Sequence, residues 1–269
     1  MAITWLTLRK LATALLCVSA WTAFPAIAQG LPCWFVPGSE GPRCKLITDA
    51  LSRGSGVAIT PRVAQSYTEI FKAFAEKKDA LVYAGSFTSA LLTARRLAVP
   101  LAQRVDSQEF YSGVMIFPRG GNPTTLLKEH GAEVAFAIGA SSGESSAKAA
   151  TGGKAALGVK DHMAAANAIK AGKARAAFVK NWWWQANSSK FPELQMFEVP
   201  GVSEQKNPDN ILLVSVSVTD DLRARLLKAA MASKDAFGAT RMDRFDAKEL
   251  EFSQGLMAKG GINLNTYVF

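Results

Sequence analysis

"VAFAIGASSGESSAKAA", residues 134–150, joins three local signals in one short stretch. The apolar run Val134–Ile138 has the length of a short buried strand. Four serines, Gly143 and Glu144 follow, and then a run of small helix formers. The segment therefore reads as strand, turn and helix, which implies an α/β sheet with helices packed on its faces. The chemistry of the turn has two readings. A helix N-terminus offers N–H groups without internal partners and a partial positive charge. Serine adds hydroxyl donors without bulk, and Gly143 lets backbone approach closely. Together they would cradle an oxyanion at the strand's carboxyl edge, where open α/β sheets bind ligands. The alternative is an ordinary capped turn, since Ser and Gly dominate turns. Ser141 and Ser142 are the first candidates and Ser145 the next; Glu144 would repel an anion unless it points away.

The same alternation extends in both directions. "LPCWFVP" (31–37) reads as a strand and "RCKLITDALSR" (43–53) as a helix stopped by Gly54. "VAITPRVA" (57–64) is extended. Ser66 and Glu69 form a capping-box pattern for a helix over 67–78. "ALVYAG" (80–85) is a strand, with a helix over 87–97. A second set occupies roughly 114–210: strands at 112–121, 133–139 and 174–181, and helices at 124–131 and 160–173. A strand at 209–219, a helix capped by Thr219 or Asp220 and a last helix near 246–258 complete the chain. Ser86 starts a helix at the end of its strand and mirrors the serine turn. Asn181 is a candidate polar contact at a strand end. Trp182–Trp184, read as continuing that strand, alternate faces, so at least one, Trp182 first, lines a cleft mouth or a contact surface.

Arg9 and Lys10, the apolar run Leu11–Ala20 and the small residues Ala26–Ala28 have the order of a secretory signal peptide, 1–28. Its removal takes two of 31 basic residues and leaves 29 against 22 acidic, a formal charge of +7. That excess suits an anionic ligand, whereas no basic block interleaved with aromatics suggests nucleic acid. Cys33 and Cys44, eleven positions apart in an oxidising compartment, are expected to form one disulfide. No metal-ligand spacing, cofactor motif or catalytic set is apparent in the sequence.

Five stretches in order carry a resemblance: "YTEIFKAFAEKKDALVYAGSF", "SGVMIFPRGGN", "VAFAIGASSGES", "DHMAAANAIKAGKARAAFV" and "NILLVSVSVTDDLRARLLKAAMA". Together they span nearly the whole mature chain, which resembles the phosphate/phosphite/phosphonate class of ABC-transporter substrate-binding proteins, a branch of the type II periplasmic binding proteins. The resemblance implies an α/β, two-lobed fold, each lobe a mixed sheet flanked by helices, with a two-strand hinge near 112–118 and 208–215. Lobe 1 would comprise 29–113 plus 212–269 and lobe 2 would comprise 114–211. It also implies a cleft role for Tyr67 and an anion contact for His162. The implied protein is a periplasmic monomer, not an enzyme, that hands a small oxyanion to an inner-membrane ABC permease. Arg175, where the family carries an acid, the three tryptophans and the cysteine pair depart from the pattern. A periplasmic sensor or accessory protein, or an enzyme on a similar two-lobed fold, are the competing readings.

Overall fold

The computed structural model describes residues 30–268; the expected signal peptide lies outside the described residues. In chain order the first elements are β1 (Leu31–Phe35), α1 (Gly41–Ser55), β2 (Ile59–Val63), α2 (Tyr67–Ala75), β3 (Leu81–Ala84), α3 (Ser86–Ala94) and β4 (Ala98–Val105). The middle contains β5 (Phe110–Tyr111), β6 (Gly113–Pro118), α4 (Pro123–Glu129), β7 (Val134–Ala137), α5 (Ser146–Ala150), β8 (Leu157–Val159), α6 (His162–Lys170), β9 (Ala176–Lys180), α7 (Asn181–Asn187) and β10 (Leu194–Phe197). The chain closes with β11 (Asn207–Pro208), β12 (Ile211–Ser215), α8 (Asp220–Met231), α9 (Lys234–Phe237), β13 (Arg241–Arg244) and α10 (Glu251–Lys259).

These strands make two mixed sheets. The first, in the order β13-β4-β12-β3-β1-β2, draws on both ends of the chain; the second, β10-β6-β9-β7-β8, comes from the middle. Period-two alternation builds a core on each face of the first sheet. Cys33, Leu81, Tyr83, Leu212 and Val214 enter the core under α1 and α8. Val82, Ala84, Ile211 and Leu213 enter the other, under α2 and α3. In the second sheet Val114, Ala135 and Val179 face one side, while Met115, Phe136 and Phe178 face the other. The chain passes between the sheets through β5 and back through β11, which pair antiparallel, Asn207 opposite Tyr111 and Pro208 opposite Phe110. That ribbon directly precedes the first stretch expected to link the lobes, 112–118, and shares Pro208 with the second, 208–215.

Local chemistry fixes the helix starts. Ser66 Oγ accepts from the Glu69 N–H, and Glu69 reaches back to the N–H of Gln65, one residue earlier than a standard capping box. Asp161 caps α6 and Thr219 caps α8. Helix α1 does not stop at Gly54. It runs to Ser55, and Gly54 is instead where α8 packs, since a Cβ there would lie 2.6 Å from that of Ala229. Strand β4 has no counterpart in the expected elements because Pro100 interrupts its pattern. It is nonetheless paired on both sides, and a register shift between Leu212 and Leu213 lies opposite that proline.

Two further expectations are overturned. Cys33 and Cys44 are free thiols rather than a disulfide. Both sit in the core between β1 and α1 as small apolar side chains, and burial pushes both thiols above their ordinary range, which makes them poor partners for exchange. Trp182–Trp184 do not continue β9. They form the first turn of α7, so the spacing is that of a helix and Asn181 and Trp184 share the buried side. Trp184 is in the core, and half-buried Trp183 packs on Phe191. Among the described residues, no helix is long and apolar enough to cross a membrane.

Candidate functional site

Strand β7 runs into Gly139, whose φ of +75° turns the chain, and a single π-helical turn, Ser141–Ser145, leads into α5. Such wide turns are frequent at functional sites. The turn is pressed against its own strand, because a Cβ on Gly143 would lie 2.8 Å from both the N and O of Ala137. The close approach read from this glycine is therefore to β7, and it pushes the preceding serines outward. Ser141 and Ser142 line a cavity of about 280 Å³ whose other walls come from the first sheet, the ribbon, and the ends of β9 and α6. Ser145 is fully buried away from that lining and its hydroxyl has no partner among the described residues.

Across the cavity, β3 delivers Gly85 and then Ser86 at the start of α3. Ser86 Oγ donates to Ser141 Oγ at 2.9 Å and lies 2.8 Å from Tyr111 Oη. Tyr111 is hydrogen-bonded to Ser141 as well as to Ser86, so the three hydroxyls form one network, and an anion would recruit the Ser141 proton from it. Ser86 thus stands one layer behind the lining and aims its neighbour. Tyr67, Tyr83 and Tyr111 line the same space, and burial pushes all three phenols above their ordinary range, Tyr67 to about 12. They remain neutral donors at physiological pH. Tyr83 Oη is buried without a partner among the described residues.

His162, the first residue of α6, lines the cavity with Nε2 3.4 Å from Ser142 Oγ and a buried Nδ1 that has no partner among the described residues. Burial first, then the charge of Lys180, lowers its pKa to about 4, so the ring is neutral and offers one N–H. The unfolded chain binds this proton near the ordinary value of about 6.5 and the folded chain does not. The contribution of His162 to stability is thus complete above pH 6.5 and declines as pH falls towards 4. Melting curves should show a loss on the order of 2 kcal/mol over that window, allowing for partial exposure, and His162→Gln should flatten it.

Lys180, at the carboxyl end of β9, and Asp209, just past β11, form an ion pair in the cavity lining. The Lys180 ammonium also sits 4.3 Å from the Tyr111 ring centroid and 4.7 Å from that of Trp182. Arg43, from the first turn of α1, reaches the rim and donates to the carbonyl of Phe237. Sequence reasoning missed Lys180, Asp209, Tyr111 and Arg43. A signal existed for Lys180, which ends a strand where α/β sheets place ligands. The cavity brings together Tyr67, Ser141, Ser142 and His162, with Ser86 behind them. Asn181 and Trp182 do not line it: Asn181 Oδ1 accepts from the Ser112 N–H, and Trp182 packs edge-on to Tyr111. Glu144 turns away from the lining and is held by the Gly139 N–H, Lys148 and Tyr267. Arg175 is at the surface, paired with Glu133.

The fold and chain order recur in solved structures. PhnD1 from Prochlorococcus marinus (MIT 9301), determined with methylphosphonate, is 16% identical with a TM-score of 0.65, covering 87% of this chain and 98% of its own. XAC2383 from Xanthomonas citri, bound to ATP, is 13% identical with a TM-score of 0.68, covering 86% and 97%. A binding-protein component of an ABC phosphonate transporter (PA3383) from Pseudomonas aeruginosa is 13% identical with a TM-score of 0.63, covering 89% and 91%. These similarities establish the two-lobed architecture. No protein of curated function matches at the sequence level. The family model for periplasmic substrate-binding proteins of phosphonate ABC transporters matches residues 42–251, most of the chain, and the protein belongs to that family.

Proposed function

We propose that the protein captures a small oxyanion of the phosphonate, phosphite or phosphate class between its lobes and presents it to an inner-membrane ABC permease. Family membership carries the substrate-binding role in ABC transport and the periplasmic setting. The choice of ligand rests on one observation: the serine turn of one sheet, backed by Ser86 at a helix start of the other, lines a cavity that also holds Lys180 and neutral His162. An oxyanion taken out of water needs its oxygens met by donors, and this wall supplies hydroxyls, phenols, an imidazole N–H and an ammonium. We assign 29–113 plus 212–269 to one lobe and 114–211 to the other. A ligand touching both binds the closed state better and so drives closure.

Asp209 narrows the class. Its carboxylate lies in the lining and is balanced by Lys180. It can accept a proton from a P–OH group, whereas a fully ionised sulfonate offers it none and is repelled. A thermal-shift panel tests both points. Methylphosphonate, phosphite or phosphate at about 100 times its dissociation constant should add roughly 2.7 kcal/mol, a rise of about 5–10 °C for a chain of this size. Sulfate and methanesulfonate should add nothing. A sulfonate shift equal to the phosphonate shift defeats the role of Asp209, and a panel without any shift defeats the proposal.

A further inference from the structure

Glu144 is the one acid in the serine turn, and it is buried to 2% exposure behind the surface that faces the cavity. Three donors converge on it. Lys148 Nζ is 2.6 Å from Oε1, while the Gly139 N–H at 2.9 Å and Tyr267 Oη at 2.6 Å share Oε2. Gly139 belongs to the cavity lining, so the carboxylate pins from behind the segment whose front carries Ser141 and Ser142. Lys148 and Gly139 are close in sequence to Glu144, but Tyr267 arrives from the far end of the chain.

The segment that delivers Tyr267 is anchored on α3. Arg95, just past that helix, donates to the carbonyls of Leu264 and Tyr267, and Phe87 packs edge-on against the Tyr267 ring at 5.3 Å. Met257 and Ile262 join Phe87 and Leu91 in one apolar cluster, while Leu256 of the same helix enters the core of the second sheet. Helix α10 is also tied to the ribbon, since Ser253 donates to Asn207, whose side chain donates to the Tyr111 carbonyl. Helix α3 therefore meets the serine turn twice. Ser86 bonds Ser141 at the front, in the cavity wall, and the C-terminal arm carried on α3 bonds Glu144 at the back.

We infer that the C-terminal arm is a clasp, in which Tyr267 and Glu144 are positioning residues that hold the serine turn against α3 and set how fast the cleft releases its ligand. The inference builds on the anion-site reading for its effect on binding but not for its effect on the turn. Opening the lobes separates α3 from the turn, and the clasp adds a charge-assisted hydrogen bond that this motion must break. Removing the Tyr267 hydroxyl leaves Glu144 with Lys148 and Gly139, so the carboxylate stays paired and the fold is kept while the rear hydrogen bond to the turn is lost.

The test uses the mature protein and its Tyr267→Phe and Glu144→Gln variants, with two readouts. Hydrogen exchange without ligand should speed up over residues 139–146 in both variants and stay unchanged over β9. Methylphosphonate, the probe, should dissociate about tenfold faster from Tyr267→Phe, with its association rate nearly unchanged. Unchanged exchange over 139–146 in both variants overturns the clasp whatever the ligand proves to be. Faster exchange in a protein whose wild type ignores methylphosphonate upholds the clasp and counts against the anion reading instead. Faster exchange with unchanged release from a protein that binds the probe removes the clasp from ligand retention.

Discussion

Replacing Ser141 and Ser142 together with alanine is expected to weaken methylphosphonate binding by at least about a hundredfold, measured by isothermal titration. The two hydroxyls are buried and face the cavity. Hydrogen bonds to charged groups are worth about 1.5–3 kcal/mol each, and an anion oxygen left without its donor stays desolvated. The effect should be larger than that of either single change but less than their product, because Ser141 and Ser142 are neighbours in one network. Stability should change little, since alanine keeps the backbone of the turn. Unaltered affinity in the double variant would mean that the turn is structural and the anion binds elsewhere.

Gly143→Ala should produce the largest loss of stability among the changes considered. The added Cβ would meet the N and O of Ala137 at 2.8 Å, and both are main-chain atoms of β7 that cannot rotate aside. Overpacking of this kind costs about 1–3 kcal/mol, which for a chain of this size lowers the melting temperature by roughly 2–12 °C. Binding should fall with it, because the turn can relieve the clash only by moving Ser141 and Ser142. Calorimetry and titration on one sample separate the two effects. An unshifted melting temperature would show that the turn is loosely seated on its strand.

Much of the fold was legible because its signals are local. The alternation in "ALVYAG" and "NILLVS" sends successive side chains to opposite cores, as β3 and β12 do. Ser66, Asp161 and Thr219 each cap the helix that their positions announce. What failed was also physical. Pro100 hid β4 because a proline in a doubly paired strand needs a register shift that the partner strand supplies. Three consecutive tryptophans carry no period, so nothing local distinguished a helical turn from a strand. The cysteine spacing suggested a bridge, yet both side chains were needed as core.

The cavity was half legible for the same reason. Ser86, Ser141 and Ser142 stand at strand-to-helix junctions, and the turn chemistry there is written in adjacent residues. Lys180 and Asp209 meet only because β9 and the returning β11 segment end side by side, a long-range fact that no short window contains. A strand continuing through Asn181 and Trp182 would turn them to the cleft. Once α7 begins at Asn181 their side chains turn to Ser112 and Tyr111 instead.

A crystal structure of the mature protein grown with methylphosphonate tests the central claim most directly. The account predicts the phosphonate group in the cavity, with oxygens within hydrogen-bond distance of Ser141, Ser142 and His162, and with Tyr67 contacting it from the other lobe. Density for the anion only on the outer surface, with the serine hydroxyls bonded within the protein, would contradict it.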